Sequence, residues 1–286
     1  MIKRNKVKVK KKKSSKIKNA EPMDLSSFEG LLSDMFGDSG EETPLRKAQD
    51  IMYDAWEVSD PKRRIALARR ALETSPDCAD AYVLLAEETA SSLPEASHLY
   101  RQGVEAGERV LGREAFEEDV GHFWGILETR PYMRARAGLA ECLWAAGKHE
   151  EAIEHYKEML RLNPNDNQGI RDLLMPRLIE RGKDKEAEAL FKQYHDDGMA
   201  SWIYSRALLD FRKMGDSEIS RKSLKAAVKK NHHIPSYPLG RKKIPQSLPD
   251  YYSPGAETEA MFYTKENLEA WKITPGALDW LLDQTK

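Results

Sequence analysis

Apolar residues recur along the chain at offsets of four and three, which place them on one face of an α-helix. The clearest example is Ala152, Tyr156 and Met159. A small residue at the first position lets a neighbouring helix approach, and the larger residue fills the space beside it. The same pattern occurs at Ala96, Tyr100 and Gly103, at Ala187, Phe191 and Tyr194, at Ser220, Leu224 and Ala227, and in part at Ala68 and Ala71. Each occurrence predicts a helix with one buried stripe.

A helix richer in Leu and Ala is predicted before each of these stripes. These first helices cover residues 81–90, 133–146, 170–181 and 202–212. The two helices of each pair are separated by Pro94, Gly147, Gly182 or Gly215. Ala152 and Ala187 lie 35 residues apart, close to the period of the tetratricopeptide repeat. We therefore predict an all-α, tetratricopeptide-like helical-hairpin superhelix over residues 44–231, with an irregular helical bundle as the alternative.

One interval in this series is longer than a repeat. Ala96 and Ala152 are 56 residues apart. This adds about 22 residues to one period and predicts an inserted segment at about residues 107–131. We expect the second helix of that repeat to continue into the insert, with a kink or a close approach at its glycines. Phe123 and Trp124 follow, and both are predicted to be buried, because an ordered extension needs an apolar anchor.

A superhelix of hairpins presents a concave groove lined by the first helix of each hairpin. Offsets from the buried positions select the candidate peptide-binding residues Glu87, Arg130, Arg134, Glu141, Gln168 and Arg171. Arg130 and Arg134 follow the insert, where they either pair with Glu128 across a turn or present guanidinium groups to an acidic partner. The Lys and Asn pair with which some tetratricopeptide domains clamp an acidic C-terminus is absent here. We predict a protein or peptide partner of unknown identity, against the alternative of a solvated face.

Charge is distributed unevenly, although 46 basic and 47 acidic residues nearly cancel. The arm at residues 1–22 contains ten basic side chains: Lys3, Arg4, Lys6, Lys8, Lys10, Lys11, Lys12, Lys13, Lys16 and Lys18. We expect this arm to be disordered, because it repels itself and has little apolar surface. It either binds nucleic acid or a ribosome by counterion release, folds back onto the acidic body, or only solubilises the chain. It has no aromatic residue for base stacking, so we expect no sequence-specific recognition.

An acidic segment follows the arm at residues 23–43. Within it, residues 24–36 have apolar residues at spacings of three and four: Leu25, Phe28, Leu32 and Met35. This spacing predicts a short amphipathic helix with Asp24 at its N-cap. We expect the helix to dock either on the groove of this chain or on another protein, and we favour docking on this chain.

The C-terminal region, residues 232–286, is predicted to be a proline-rich strap followed by two capping helices. Prolines recur between residues 235 and 254 and exclude a regular helix there. Tyr237, Tyr251 and Tyr252 are expected to pack on the last repeat. Two helices are predicted after the strap, at residues 257–271 and 275–284. They would cover the end of the superhelix as a cap.

No motif in the sequence points to catalysis or metal binding. The seven histidines and two cysteines form none of the spacings of zinc, nucleotide-binding or nucleophile motifs. We therefore expect no enzyme activity, catalytic residue, metal, cofactor or small-molecule substrate. Cys78 and Cys142 are predicted to be buried thiols, which suits the reducing cytoplasm. The sequence holds no long apolar run and no secretory signal, so we expect a cytoplasmic protein with no membrane partner.

Several segments together resemble one known family. ADAYVLLAEE, EASHLYRQGVEAGERV, NHHIPSYPLG, SPGAETEAMFY and PGALDWLL occur in the order and spacing of the suppressor-of-tumorigenicity-seven family and its soluble bacterial relatives. The resemblance runs from Pro44 to the end of the sequence. Animal members of that family have membrane-spanning segments, and this sequence has no such run. The resemblance implies a repeat-containing protein of unassigned activity and brings no catalytic residues.

Overall fold

The computed structural model describes residues 43–286, and this part of the chain is all-α. The basic arm and the helix predicted at residues 24–36 lie outside the described residues. The α-helices are α1 (Pro44–Glu57), α2 (Pro61–Thr74), α3 (Ala79–Thr89), α4 (Leu93–Glu118), α5 (Arg130–Ala145), α6 (His149–Leu162), α7 (Ile170–Glu180), α8 (Asp184–Gln193), α9 (Ala200–Met214), α10 (Glu218–Lys230), α11 (Glu257–Ile273) and α12 (Ala277–Gln284). Short 3₁₀ turns span Phe123–Gly125, Leu127–Thr129 and Ile234–Ser236. The all-α prediction is confirmed.

The helices from α1 to α10 form consecutive hairpins, each made of an odd-numbered helix and the next one. The two helices of a hairpin pack together, and α2–α3, α4–α5 and α6–α7 join successive hairpins. Gly147, Gly182 and Gly215 turn the chain within three hairpins at φ values of 77°, 66° and 62°, which favour glycine. The stack is consistent with the predicted helical-repeat superhelix. The α1–α2 hairpin lies within the predicted repeat region, residues 44–231, although the sequence pattern showed it only in part.

The predicted helical stripes form the core of this stack. Ala152, Tyr156 and Met159 are each at most 1% exposed. A second, smaller core joins α1, α2 and α3 around Met52. Cys78 lies in that smaller core as a free buried thiol, as predicted, and burial raises its pKa to about 12.

The insert continues the second hairpin and then turns back sharply. α4 extends through it as expected, and its backbone leaves helical geometry at Gly112, where φ is 63°. Gly107 marks the predicted close approach, because a Cβ placed there would lie 2.7 Å from the Cβ of Tyr132. The two 3₁₀ turns lead from α4 to α5. The hydroxyl of Thr129, the last residue of the second turn, is shared as a donor between the carbonyls of Phe123 and Ile126.

Phe123, rather than Trp124, anchors this insert. The Phe123 ring is 0% exposed and lies with the rings of Phe116 and Tyr132, at centroid distances of 5.3 and 6.2 Å. Trp124 is only partly buried, and the guanidinium of Arg130 lies 5.3 Å from its ring centroid. The prediction that both aromatic residues are buried is therefore wrong for Trp124. A 3₁₀ turn points adjacent side chains in different directions, so only one of the pair reaches the core.

The C-terminal helices form as predicted and close the chain against odd-numbered helices. α11 packs along α7 and α9, and α12 contacts α11 and α9. In the strap, Tyr237 is buried and its hydroxyl donates to Glu257 over 3.0 Å. Tyr251 and Tyr252 are 71% and 44% exposed, which corrects the expectation that all three tyrosines are packed. Tyr252 contacts only the ring of Phe262 among the described aromatic residues, at 5.4 Å.

We predict that Phe123→Ala lowers the free energy of unfolding by about 3–5 kcal/mol, because it leaves a cavity among packed rings. Trp124→Ala should cost only about 1–2 kcal/mol, since a partly exposed ring loses less contact. Denaturant unfolding followed by circular dichroism measures both values. Equal losses in the two variants would contradict this assignment of the anchor.

Candidate functional site

The odd-numbered helices are the first helices of their hairpins, which in a superhelix line one face, and they pack together in the pairs α3–α5 and α7–α9. α11 lies on α7 and α9. The Tyr263 ring of α11 lies 5.5 Å from that of Tyr204, and Ser205 donates to Asn267 over 3.3 Å. The part formed by α3 and α5 is not covered by α11 in this way, and we call it the open groove.

Glu87 of α3 and Glu141 of α5 are the exposed acidic residues of the open groove. Desolvation by the surrounding protein raises the pKa of both carboxyls, and neighbouring acids add to the effect, including Asp80 for Glu87 and Glu266 for Glu141. The charge of Glu141 also raises the pKa of Glu87, so these two predicted residues lie close enough to interact.

Neither carboxylate forms a hydrogen bond or an ion pair within the described part of the chain. Arg134 near Glu87, and Lys265 and Arg177 near Glu141, lower the two pKa values, but desolvation is the larger effect at both. An ionised carboxylate that is partly desolvated and unpaired raises the free energy of the folded state. A cation supplied from outside would offset that cost. The open groove is therefore suited to a positively charged ligand.

Arg177 lies at the boundary between the open groove and the covered part. It donates to Glu180 over 3.2 Å and to Glu266 over 3.1 Å, which links α7 to α11. Its guanidinium also lies 4.8 Å from the ring centroid of Trp144. Its charge is thus shared between two acids, and it also lowers the pKa of Glu141 without forming an ion pair with it.

Arg134 is held inside the protein by a buried carboxylate. Its Nε donates to Oδ1 of Asp80 over 2.7 Å and its Nη2 to Oδ2 over 2.6 Å, a two-point pairing that ties α5 to α3. Asp80 is fully buried and also accepts from Gln49 of α1 over 2.8 Å. Trp56 of α1 lies against the guanidinium, at 5.2 Å. Arg134 therefore joins three hairpins, which corrects the prediction that it presents its guanidinium to a partner.

Arg130 stays with the insert from which α5 begins. Its Nε donates to the carbonyl oxygen of Trp124 over 2.9 Å, and its guanidinium covers the Trp124 ring. The bond and the stacking fix the turn between the insert and α5. Two roles were predicted for Arg130: pairing with Glu128 across a turn, or binding an acidic partner protein. The structure favours the first, structural role, although Arg130 bonds to the carbonyl of Trp124 in place of Glu128.

Gln168 and Arg171 lie at the start of α7, away from the pair on α3 and α5. Arg171 bonds to Asp166 over 3.0 Å and to Asp197 over 2.8 Å, so its charge is also used within the protein. Asp166 additionally accepts from the backbone of Ile170, over 2.7 Å, and caps the helix. Gln168 is half-buried, and its Oε1 has no hydrogen-bond partner in the described region. Its role as a groove residue stays a prediction.

Sequence reasoning missed the network around Asp80. The available signal was a charged residue in the first turn of a helix that is otherwise almost wholly apolar, ADAYVLLAEE. A buried acid in such a helix needs a partner. The partner, Arg134, is 54 residues away in the sequence, so spacing alone could not identify it.

Residues 43–286 contain no cluster of three or more His, Cys, Asp or Glu arranged to hold a metal. In the same part of the chain, every helix is too short or too polar to cross a bilayer.

Comparison with known proteins finds relatives over most of the chain. The sequence model of the family described as ST7 protein matches residues 35–285. The suppressor of tumorigenicity 7 protein-like of Bos taurus is 29% identical over 259 residues, covering 83% of this chain and 46% of the relative. That of Danio rerio is 27% identical, covering 85% and 45%. The suppressor of tumorigenicity 7 protein of Macaca fascicularis is 28% identical, covering 83% and 52%. The chain thus spans about half the length of the curated relatives it matches.

We predict that Asp80→Ala destabilises the fold by about 3–5 kcal/mol, because it leaves the charge of Arg134 without its buried partner. Replacing both residues together, Asp80→Leu with Arg134→Met, should cost less than the single change, since no charge is then left unpaired.

The matched control is the ion pair of Arg113 with Glu117, whose side chains are 89% and 59% exposed. Arg113→Ala should change the free energy of unfolding by about 0.5 kcal/mol or less. If Asp80→Ala and Arg113→Ala had equal effects in denaturant unfolding, the buried pair would not hold the three hairpins together.

Proposed function

The chain belongs to the ST7 protein family, and we propose that it is a non-enzymatic helical-repeat scaffold that binds a protein or peptide on its concave face. The observation that carries this proposal is the pair Glu87 and Glu141. Both are exposed, both are partly desolvated, and neither forms an ion pair among the described residues; the charges of Arg134, Lys265 and Arg177 offset the desolvation only in part. The repeat assignment rests on the hairpin stack and on the interval between Ala152 and Ala187, which is close to a tetratricopeptide period.

The chemistry of the open groove favours a basic peptide as the partner. Arg134, Arg171 and Arg177 are engaged by carboxylates of the protein itself. The open groove therefore keeps a negative charge, and Lys or Arg side chains of a partner would complete its ion pairs. Glu87 and Glu141 lie on successive hairpins, so an extended peptide could offer one cation to each. This arrangement supports a peptide segment rather than a compact small molecule.

The state of the cysteines supports a binding role rather than catalysis. A nucleophilic cysteine must be a thiolate near neutral pH. Burial raises the pKa of Cys78 to about 12 and also raises that of Cys142, so both stay protonated. We also propose a cytoplasmic location, because two unpaired buried thiols persist in a reducing compartment.

We predict that Glu87→Gln together with Glu141→Gln weakens the binding of a short lysine-rich peptide by about tenfold or more, since each lost ion pair is worth over 1 kcal/mol. Fluorescence anisotropy with a labelled peptide measures the affinity. A glutamate-rich peptide of equal length should not bind. Glu114→Gln, on the exposed surface of α4, is the matched control and should leave the affinity unchanged.

The same double variant should melt at an equal or a higher temperature at neutral pH. The folded-state pKa of each glutamate is raised, so ionisation opposes folding above that pKa, and a neutral amide removes the penalty. A variant that lost both peptide binding and thermal stability would point to a structural role for the two carboxylates instead.

A second candidate function rests on the basic arm, which lies outside the described residues. Its ten Lys and Arg residues within positions 1–18, with no acid among them, support non-specific binding to RNA or a ribosomal surface. We predict that affinity for single-stranded RNA falls steeply with salt and is lost when residues 1–18 are deleted. Binding that is unaffected by salt, or that survives the deletion, would exclude this role. If the deletion instead strengthens peptide binding, the arm occupies the open groove.

A further inference from the structure

A cavity of about 440 Å³ lies beside the first residue that the structure describes. Thr43 itself lines it, together with the start of α1, the start of α3, the middle of α4 and the junction between the insert and α5. Its apolar wall is formed by Leu45, Val110, Leu127, Pro131 and Tyr132. The volume falls within the range of about 300–1,000 Å³ that is usual for sites that enclose a ligand.

The apolar part of this cavity remains open to solvent. Val110 is 38% exposed, although α4 is one of the most extensively packed helices of the fold. The carboxylates of the open groove lie on the later turns of α3 and α5, whereas the cavity is formed by the first turns of the same helices. It is therefore a separate surface from the proposed peptide-binding groove.

Three helices begin at the rim of this cavity. Thr43 precedes α1, Ala79 opens α3 and Pro131 lies in the first turn of α5. The N-terminus of a helix carries a partial positive charge, and Asp50, Asp77 and Glu128, which line the same cavity beside Arg46, already provide acidic side chains there. The chain immediately before Thr43 is acidic, with seven Asp or Glu and no Lys or Arg in residues 19–43.

The sequence before Thr43 also offers an apolar face of matching length. Residues 24–36 place six apolar side chains on one side of a helix: Leu25, Phe28, Leu31, Leu32, Met35 and Phe36. Ser26, Ser33 and Asp34 fall on the opposite side. Only six residues, 37–42, join this segment to Thr43, and they span at most about 20 Å when extended. The end of the segment is therefore always close to the cavity.

We propose that residues 24–36 bind this cavity as an amphipathic helix of the same chain. The apolar side faces Leu45, Val110 and Leu127, and the polar side faces solvent. The bound helix contacts α1, α4 and the insert and holds them together. The proposal is independent of the function proposed for the open groove, since it concerns the opposite ends of α3 and α5.

Hydrogen–deuterium exchange of the full chain, read by mass spectrometry, tests this proposal. In the unchanged chain, amides of residues 24–36 should exchange slowly, and so should those of residues 127–132. Phe28→Asp with Leu32→Asp should speed exchange in both regions by about tenfold or more, because burying each apolar side chain contributes over 1.4 kcal/mol. Ser26→Asp with Ser33→Asp adds the same charge on the polar side and should leave both regions protected.

A change on the cavity side provides the second arm of the test. Val110→Asp alters an exposed residue, so the fold should remain intact, and it should release residues 24–36 in the same way. Protection that is independent of protein concentration supports docking within one chain. Fast exchange of residues 24–36 in the unchanged chain would overturn the proposal. Protection that appears only at high protein concentration would also overturn it, because it would show docking onto a second copy.

Discussion

A buried ion pair sets the arrangement of the first three hairpins. Asp80 is fully buried at the start of α3, and it is paired at two points by Arg134 of α5. Gln49 and Trp56 add contacts from α1. An isolated charge at that depth would be very costly, so the three helices are stable only in the register that keeps the pair formed. Apolar stripes alone would tolerate sliding between helices. The ion pair does not.

Ion pairs within the protein also affect the charge of the surface formed by the odd-numbered helices. Arg134, Arg171 and Arg177 each bind carboxylates of the protein, and all three also lie over aromatic rings. These cations hold the architecture together. Glu87 and Glu141 form no ion pair in the described region, and the charges of Arg134, Lys265 and Arg177 offset their desolvation only in part. α11 covers α7 and α9, so these two carboxylates lie on the helices that it leaves open.

Local periodicity was sufficient to predict most helices but not their long-range partners. The first-helix predictions at residues 133–146 and 170–181 correspond to Arg130–Ala145 and Ile170–Glu180, because helix stripes and glycine turns are local signals. The roles of Arg134 and Trp124 were misjudged, because each depends on side chains that fold next to it from elsewhere. The position of α11 on the concave face was missed for the same reason. Nothing in its own sequence specifies which helices it covers.

The titration of Glu87 and Glu141 by NMR, followed through their side-chain carboxyl carbons, tests the central claim most directly. In the free protein, both carboxyls should titrate above the ordinary pKa of glutamate, because the surrounding protein desolvates them. When a lysine-rich peptide is bound, both pKa values should fall, since a bound cation stabilises the ionised form. Ordinary pKa values in the free protein, or values unchanged by a peptide that binds, would contradict the assignment of these carboxylates as the binding site.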